Sequence, residues 1–148
     1  MATFQMSESV EINRPAGTVF QYVTDVKKAT EWRPGLDDVR DFSGEPFTVG
    51  TSWSDVSKFM GRDIVVNIEV TNLQEGRQAN LKMDGGVVSG NMTWEFSPVT
   101  DDSSTFTLSF DGEVTGWLGR LASGMIRRQA EKDFERDSAN LKSILESG

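Results

Sequence analysis

Three ionisable side chains stand where they could move a proton or bind a polar group of a ligand. Glu8 falls on the apolar face of the alternating segment Phe4–Ile12, and Asp55 shares a face with two aromatic residues of a later segment. A buried carboxylate is costly unless it is paired or protonated. Each acid therefore either faces a cavity or reaches water from an edge position. In a cavity it could act as a general acid or base. For Glu8 we favour the edge position. Tyr22, the only tyrosine, is the third catalytic candidate.

The sequence contains no histidine and no cysteine. This excludes disulfides, thiolate chemistry and every Ser–His or Cys–His pair. The carboxylates lack the spacing of a metal site, so we expect no metal and no cofactor. The chain has 15 Lys+Arg and 23 Asp+Glu, a net charge of −8. Because such a chain repels phosphate backbones, we expect no nucleic-acid partner.

Large apolar side chains supply the candidates for ligand binding. Aromatic residues carry much apolar area, and tryptophan adds one hydrogen-bond donor. Some of them lie mid-strand on inward faces, and others lie at the ends of elements, where the mouth of a cavity could be. The predicted ligand-binding residues are Trp32, Trp53, Trp94, Phe110, Trp117, Leu121 and Met125. Ordinary core packing is the alternative for each tryptophan, and at Trp94 it is the favoured one.

Alternating apolar and polar residues predict seven strands, separated by turn residues. The predicted strands are Phe4–Ile12, Leu36–Phe42, Thr51–Met60, Ile64–Asn72, Gln78–Met83, Val88–Phe96 and Thr105–Val114. Two short helices are expected after the first strand, one running from Pro15 to about Val23 and one at Val26–Glu31. Pro98–Ser103 reads as a polar loop. The run from Thr115 to Glu146 reads as a long helical segment.

Hairpin-linked strands with helices kept apart from them indicate an α+β fold with one antiparallel sheet. A seven-stranded sheet is about 30 Å across, whereas a helix is about 10 Å wide. The C-terminal helix cannot cover such a sheet if the sheet is flat. The sheet must curl around the helix or leave a gap beside it, and both outcomes favour a cavity.

The long C-terminal segment is not a uniform amphipathic helix. Its first part contains Gly116, Gly119 and Gly124, each of which weakens a helix by about 1 kcal/mol relative to alanine. The apolar stripes of its two parts point in different directions. We therefore predict a bend, or a short separate helix, between about Gly119 and Ile126. The first part, with Trp117, Leu121 and Met125, would then be a cavity wall and a possible gate.

The order of these elements resembles the helix-grip fold of the Bet v 1/START-like superfamily, in particular its polyketide cyclase/dehydrase-like (SRPBCC) branch. The residues that carry the resemblance are Ile12-Asn13-Arg14-Pro15-Ala16, Val19-Phe20, Val23-Thr24-Asp25, Trp32-Arg33-Pro34-Gly35, Val49-Gly50-Thr51-Ser52-Trp53 and the terminal helix. The resemblance implies a curved seven-stranded sheet wrapped around the C-terminal helix, with a cavity that takes an apolar or aromatic molecule. The family includes binding proteins, transfer proteins, chaperone partners and enzymes, so fold does not settle function.

Three functions follow as hypotheses. The first is binding or transport of a hydrophobic small molecule that is aromatic, polyketide-like or lipidic. The second is a cyclase or dehydratase that uses acid groups of the cavity, and the third is a protein-interaction module. We expect residues 1–148 to form one domain. The first residues lack a basic region followed by an apolar run, so we expect no signal peptide, no membrane span and a cytoplasmic protein. The oligomeric state stays open.

Overall fold

The computed structural model describes residues 2–59 and 61–147, and most of them belong to one antiparallel sheet and the helices on its concave side. The strands are β1 (Ala2–Ile12), β2 (Leu36–Arg40), β3 (Ser52–Phe59), β4 (Arg62–Gln74), β5 (Gln78–Asp84), β6 (Val88–Thr100) and β7 (Ser103–Val114). The helices are α1 (Ala16–Val23), α2 (Ala29–Trp32) and α3 (Ser123–Ser147), and 3-10 turns lie at Val26–Lys28 and Leu118–Arg120.

The strand order is β1-β7-β6-β5-β4-β3-β2, and all neighbouring strands are antiparallel. β4 shows why the chain folds this way: Ile64, Val66, Ile68 and Val70 are buried, whereas the intervening residues are exposed. Every strand that alternates in this manner turns one face towards α3. The predicted α+β helix-grip fold, with a curved seven-stranded sheet and two short helices between its first two strands, is confirmed.

The connection between β6 and β7 is shorter than the sequence indicated. Pro98–Ser103 was interpreted as a loop, but β6 continues to Thr100 and β7 begins at Ser103, so only two residues form the turn. Pro98 has no N–H to donate, and the register shift between Pro98 and Thr100 accommodates it there. The predicted end of the third strand, Met60, lies outside the described residues.

The predicted break in the C-terminal segment is also present. A 3-10 turn covers Leu118–Arg120, Leu121 is extended with φ −81° and ψ 153°, and α3 begins only at Ser123. The 25 residues of α3 span about 37 Å, so the helix is shorter than the predicted run from Thr115. α3 lies along β1, and α1 packs against β6 and β7.

An aromatic core fills the space between the sheet and the helices near α1. Phe96 and Phe106 face each other across β6 and β7, with ring centroids 5.2 Å apart. Phe20 of α1 packs edge-on against Phe96, and Phe134 of α3 lies 6.0 Å from Phe106. Phe106 is completely buried. We refer to these four residues as the aromatic core, and they hold α1 and α3 to the same part of the sheet.

Candidate functional site

The space between the sheet and α3 is not filled along its whole length. Beyond the aromatic core it opens into a cavity of about 270 Å³ with a mainly apolar wall. The sheet side of the wall includes Met6, Ile68, Leu81, Met92, Trp94 and Phe110. Ala130 and Phe134 of α3 and Trp32 of α2 supply apolar surface on the helical side. Strand alternation puts the apolar side chains of five strands into one concave surface.

Two glycines face each other on β6 and β7, on the same strand faces as the cavity wall. Gly90 of β6 and Gly112 of β7 are direct cross-strand partners, four pairs beyond Trp94 and Leu108. Neither position can accept a side chain, because a Cβ would stand 2.4 Å from the Asp111 carbonyl oxygen at Gly90 and 2.3 Å from the Ser89 carbonyl oxygen at Gly112. The two backbones therefore pack closely at this pair, and the Phe110 ring lies against Gly112.

A second chamber of about 400 Å³ adjoins the cavity towards β3, β4 and the beginning of α3. Eight residues line both spaces, among them Phe4, Met83, Val88 and Ala130. Ile126 and Gln129 of α3 belong to the outer chamber alone. The two spaces thus form an inner and an outer compartment beneath the first turns of α3.

The polar groups of the inner cavity converge on one side of it. Arg33 follows α2 directly, and its Nη1 donates to Asp55 Oδ2 of β3 at 2.9 Å. Trp53 Nε1 donates to the other oxygen of Asp55 at 3.0 Å. Burial would lower the pKa of Arg33, but the carboxylates of Asp55, Asp137 and Asp133 raise the pKa and keep the guanidinium charged. Asp55 is therefore held as an acceptor with both oxygens engaged.

Two further carboxylates reach the cavity from α3. Asp133 and Asp137 lie one helical turn apart, and both line the inner and the outer compartment. Arg136 donates to Asp137 Oδ1 from Nε and Nη2, at 3.2 Å each, and its Nη2 lies 3.7 Å from Asp133 Oδ1. Gly35 leaves room for this guanidinium, since a Cβ there would be 2.6 Å from Arg136 Nη2. Arg33 and Arg136 thus approach the same pair of acids from two elements.

Burial raises the pKa of the Asp137 carboxyl above its ordinary value, although Arg33 and Arg136 act in the opposite direction. Asp137 is also largely shielded, with its side chain 13% exposed. A carboxyl with this balance gives up its proton less readily than a free aspartate does. Among the groups at the cavity, Asp137 is thus the best placed to exchange a hydrogen bond or a proton with a bound molecule.

Two buried hydrogen-bond donors belong to the tryptophans of the cavity wall. Trp32 and Trp94 are 3% and 6% exposed, and both line the inner cavity. Their indole N–H groups have no hydrogen-bond partner within residues 2–59 and 61–147. An unpaired buried donor costs about 1–3 kcal/mol, and such groups in a native protein call for a specific explanation.

The structure brings together four of the residues that the sequence singled out. Trp32, Trp94, Phe110 and Asp55 all line the inner cavity. Trp53 lies behind them: it holds Asp55, and its ring centroid is 6.5 Å from that of Trp94. It supports the wall without being part of it.

The other two catalytic candidates lie away from the inner cavity. Glu8 is half-buried on the concave face of β1, an edge strand, and borders a different pocket with Arg127 and Glu131. Tyr22 donates its hydroxyl to Glu31 at 2.9 Å on the outer side of α1 and α2. Burial, followed by the hydrogen bond to Glu31, raises the pKa of Tyr22 to about 12. Glu8 and Asp55 therefore do not form an acid–base pair in one cavity.

The three residues expected at the wall of the first helical part lie elsewhere. Trp117 stacks beneath Arg62, whose Cζ is 4.6 Å from the ring centroid, and lies 6.4 Å from Phe59 of β3. Leu121 is half-buried in the extended link, and Met125 is 53% exposed. Because α3 begins at Ser123, its inward face carries the residues around 126 and 130, and Met125 turns to the outside.

Sequence reasoning missed Arg33, Asp133 and Asp137. A signal for Asp137 was available, because the apolar stripe through Ala130, Phe134 and Leu141 has a carboxylate where a further apolar residue would continue it. Arg33 gave no such signal, since it stands in a turn next to Pro34. Its role depends on contacts between segments that are distant in the sequence.

Neither a metal site nor a membrane helix is found in the part of the chain that the structure describes. No three side chains of His, Cys, Asp or Glu come close enough there to hold a metal ion. None of the described helices is long and apolar enough to cross a membrane.

Comparison with known proteins finds a matching family model and several solved structures with a similar fold. A family model described as polyketide cyclase/dehydrase and lipid transport matches residues 3–146. No curated protein matches the chain significantly. A START superfamily protein from Mycobacterium smegmatis has a TM-score of 0.80 at 19% identity, with 99% of each chain covered.

Two further solved structures are similar. A conserved protein from Geobacillus kaustophilus has a TM-score of 0.79 at 15% identity, with 97% of this chain and 96% of that chain covered. The Zhui aromatase/cyclase from a Streptomyces species has a TM-score of 0.73 at 16% identity, with 96% and 90% covered. At these identities the likeness shows a shared fold and no more.

Proposed function

The chain belongs to the polyketide cyclase/dehydrase and lipid transport family, and on that premise we propose that it binds or carries an apolar small molecule with aromatic, polyketide-like or lipidic character. The observation that carries this proposal is the cavity of about 270 Å³ between the sheet and α3. Ligand pockets commonly measure about 300–1,000 Å³, and the adjoining chamber extends the space towards that range. We also propose that one domain performs this function.

The composition of the wall supports an apolar ligand. Phe110 and Trp94 present rings, and Met6, Met83 and Met92 present flexible thioethers. Methionine side chains adapt to irregular shapes and make favourable contacts with aromatic rings. Removing the apolar surface of a ligand from water would stabilise the complex by roughly 25 cal/mol per Å².

Tryptophan fluorescence offers a direct test, because two of the four tryptophans line the cavity and Trp117 does not. We expect naphthalene to change the fluorescence of the protein in a saturable manner. Trp94→Phe should remove a large part of this change, whereas the matched control Trp117→Phe should keep it. A response that depends on Trp117 and not on Trp94, or no saturable response to aromatic and long-chain aliphatic probes, would contradict the proposal. Native mass spectrometry of the purified protein would then identify a bound compound.

An enzyme is the second candidate, and the position of Asp137 favours it. This carboxyl lines the cavity, has a raised pKa and lies beside two guanidinium groups. Such a group could donate or accept a proton during cyclisation or dehydration of a polyketide-like substrate. The two functions are distinguished by incubating the protein with a poly-β-ketone and following the mixture by NMR. Formation of a cyclised or dehydrated product faster than in buffer supports the enzyme, and unchanged ligand supports the carrier.

A further inference from the structure

The two sides of the cavity differ in charge, and this difference constrains the polar group of the ligand. We propose that the cavity selects molecules whose apolar body ends in a neutral hydroxyl group, and that it rejects the same body when it ends in a carboxylate or phosphate. This inference rests on the proposed binding function, which it narrows to a class of ligand.

The charges at the inner cavity are unbalanced. One guanidinium, that of Arg33, faces three carboxylates, those of Asp55, Asp133 and Asp137. Arg136 and Lys58 border only the outer compartment, and because Lys58 is paired with Asp63, counting Arg136 and this pair still leaves one negative charge in excess. In a partly desolvated site, a second anion placed near these groups meets a repulsion that bulk water would largely screen.

The cations near the cavity are already engaged. Arg33 is paired with Asp55 at 2.9 Å, and Arg136 contacts Asp137 at 3.2 Å and Asp133 at 3.7 Å. Lys58 borders the outer compartment and lies 3.3 Å from Asp63. An anionic headgroup would have to share a cation with a carboxylate that the cation already contacts, and the net charge around it would stay negative.

A hydroxyl group meets a different surface. Both hydrogen bonds that Asp137 accepts within the described residues go to Oδ1, so Oδ2 has no donor there. Asp137 lines the cavity, and a ligand hydroxyl can donate to this oxygen without bringing any charge. A hydrogen bond from a neutral hydroxyl to a carboxylate is among the stronger kinds, because one partner is ionised.

The geometry also orients the ligand. The sheet wall around Leu81, Met92 and Phe110 is apolar, whereas Asp133 and Asp137 stand on α3, and Arg33, which follows α2, is paired with Asp55 of β3. The apolar body would lie against the sheet, and the hydroxyl would point to the helical side. The charged groups then act as a filter for the headgroup, while the apolar wall supplies most of the affinity.

Three probes with one ring system test the proposal: naphthalene, 2-naphthol and 2-naphthoate, titrated calorimetrically into the protein near neutral pH. Any apolar cavity disfavours a carboxylate, so the preference of the unmodified protein for naphthol is necessary but not decisive. The decisive readout is the ratio of the naphthol to the naphthoate affinity in Asp133→Asn/Asp137→Asn. We expect the ratio to be about tenfold or more in the unmodified protein and to be lower by at least about fivefold in the variant.

Two controls show that the change is local. Naphthalene carries no polar group, so its affinity should stay within about twofold in the variant, which also shows that the fold is retained. Asp101→Asn removes one charge from the exposed β6–β7 turn and should leave the ratio unchanged. Equal or tighter binding of naphthoate by the unmodified protein, or an unchanged ratio in Asp133→Asn/Asp137→Asn, would overturn the headgroup filter while leaving the binding function intact. If naphthalene and long-chain aliphatic probes also fail to bind, both proposals fail.

Discussion

The aromatic core and the cavity are two parts of one space, enclosed by the same sheet and the same helix. In the core, the opposing residues of β6 and β7 are Phe96 and Phe106, and the side chains meet in the middle. Along the same two strands, the opposing residues that line the cavity are Met92 with Phe110 and Trp94 with Leu108. The alternation of apolar and polar residues is similar in both parts. The two strands carry large apolar side chains in both parts, so the residues on the helical side decide whether the space is packed or hollow.

The side chains of α3 differ between the packed part and the cavity. Where the space is packed, α3 presents Phe134 and the fully buried Leu141. Beside the cavity it presents Ala130, Asp133 and Asp137, which are either small or charged, and Phe134 borders both parts. Stability and ligand binding should consequently depend on different residues of one helix and one sheet.

The largest expected effect is on stability, and it comes from truncating a side chain of the aromatic core. Phe106→Ala removes a completely buried ring that contacts Phe96, Trp32 and Phe134. We expect it to lower the free energy of unfolding by about 3–5 kcal/mol. Leu108→Ala, two residues further along the same strand face, removes a half-buried side chain beside the cavity and should cost less than about 2 kcal/mol. Urea unfolding measures both, and equal losses would show that the two parts are packed alike.

A smaller effect should follow from filling the cavity. Ala130→Leu adds three carbon atoms to a side chain that lines both compartments. We expect the affinity for naphthalene to fall about tenfold and the free energy of unfolding to rise by about 0.5–1 kcal/mol, because new apolar contacts form in open space. Ala122→Leu, at an exposed position just before α3, is the matched control and should alter neither quantity. A filled variant that binds naphthalene as before would place the binding site elsewhere.

The smallest effect concerns the end of α3 that lies beyond the aromatic core. The hydrogen bond from Lys142 and that from the Asn13 N–H lower the pKa of Glu146 below its ordinary value of 4.5. Its ionised form therefore favours the folded state above that ordinary value, and this contribution is lost as the pH falls through the folded-state pKa. Glu146→Gln should reduce the melting temperature slightly near neutral pH. The difference from the unmodified protein should shrink and then vanish as the pH falls below 4.5 and through the folded-state pKa.

Thermal unfolding followed by circular dichroism at several pH values checks this prediction. Naphthalene affinity should not change in Glu146→Gln, because Glu146 lies outside the cavity wall. A gap in melting temperature that widens as the pH falls would contradict the assigned sign. A loss of ligand affinity would instead mean that the two ends of α3 are not independent.

The sequence was sufficient to predict the fold because its signals are local. The period of two in β4 and the glycines before α3 each act within a few residues, and they correctly indicated the sheet and the break near Leu121. The predicted loop at Pro98 was wrong for a similarly local reason. Proline has no backbone N–H to donate, but the register shift between Pro98 and Thr100 allows β6 to continue past it.

The candidate site was predictable only in part. Trp94 and Phe110 followed from strand alternation, and both line the cavity. The side chain of Met125 depends on the residue at which α3 begins, and a shift of one residue turns a side chain by about 100°. The convergence of Arg33 and Asp137 needs the three-dimensional path of the chain, because no local pattern connects a turn after α2 with the middle of α3.

The contacts at the two ends of α3 give the helix the mechanics of a cantilever. At its C-terminal end, Lys142 donates to the Glu11 carbonyl, Glu146 accepts from the Asn13 N–H and Arg14 donates to the Glu146 carbonyl, so this end is clamped to the strand and turn beneath it. At the other end an extended residue separates α3 from the preceding turn. A beam that is fixed at one end deflects most at the other. The two compartments lie beneath the part of α3 that precedes this clamp, so a small tilt of the helix about the clamp would change their volume and would carry Phe134 with it.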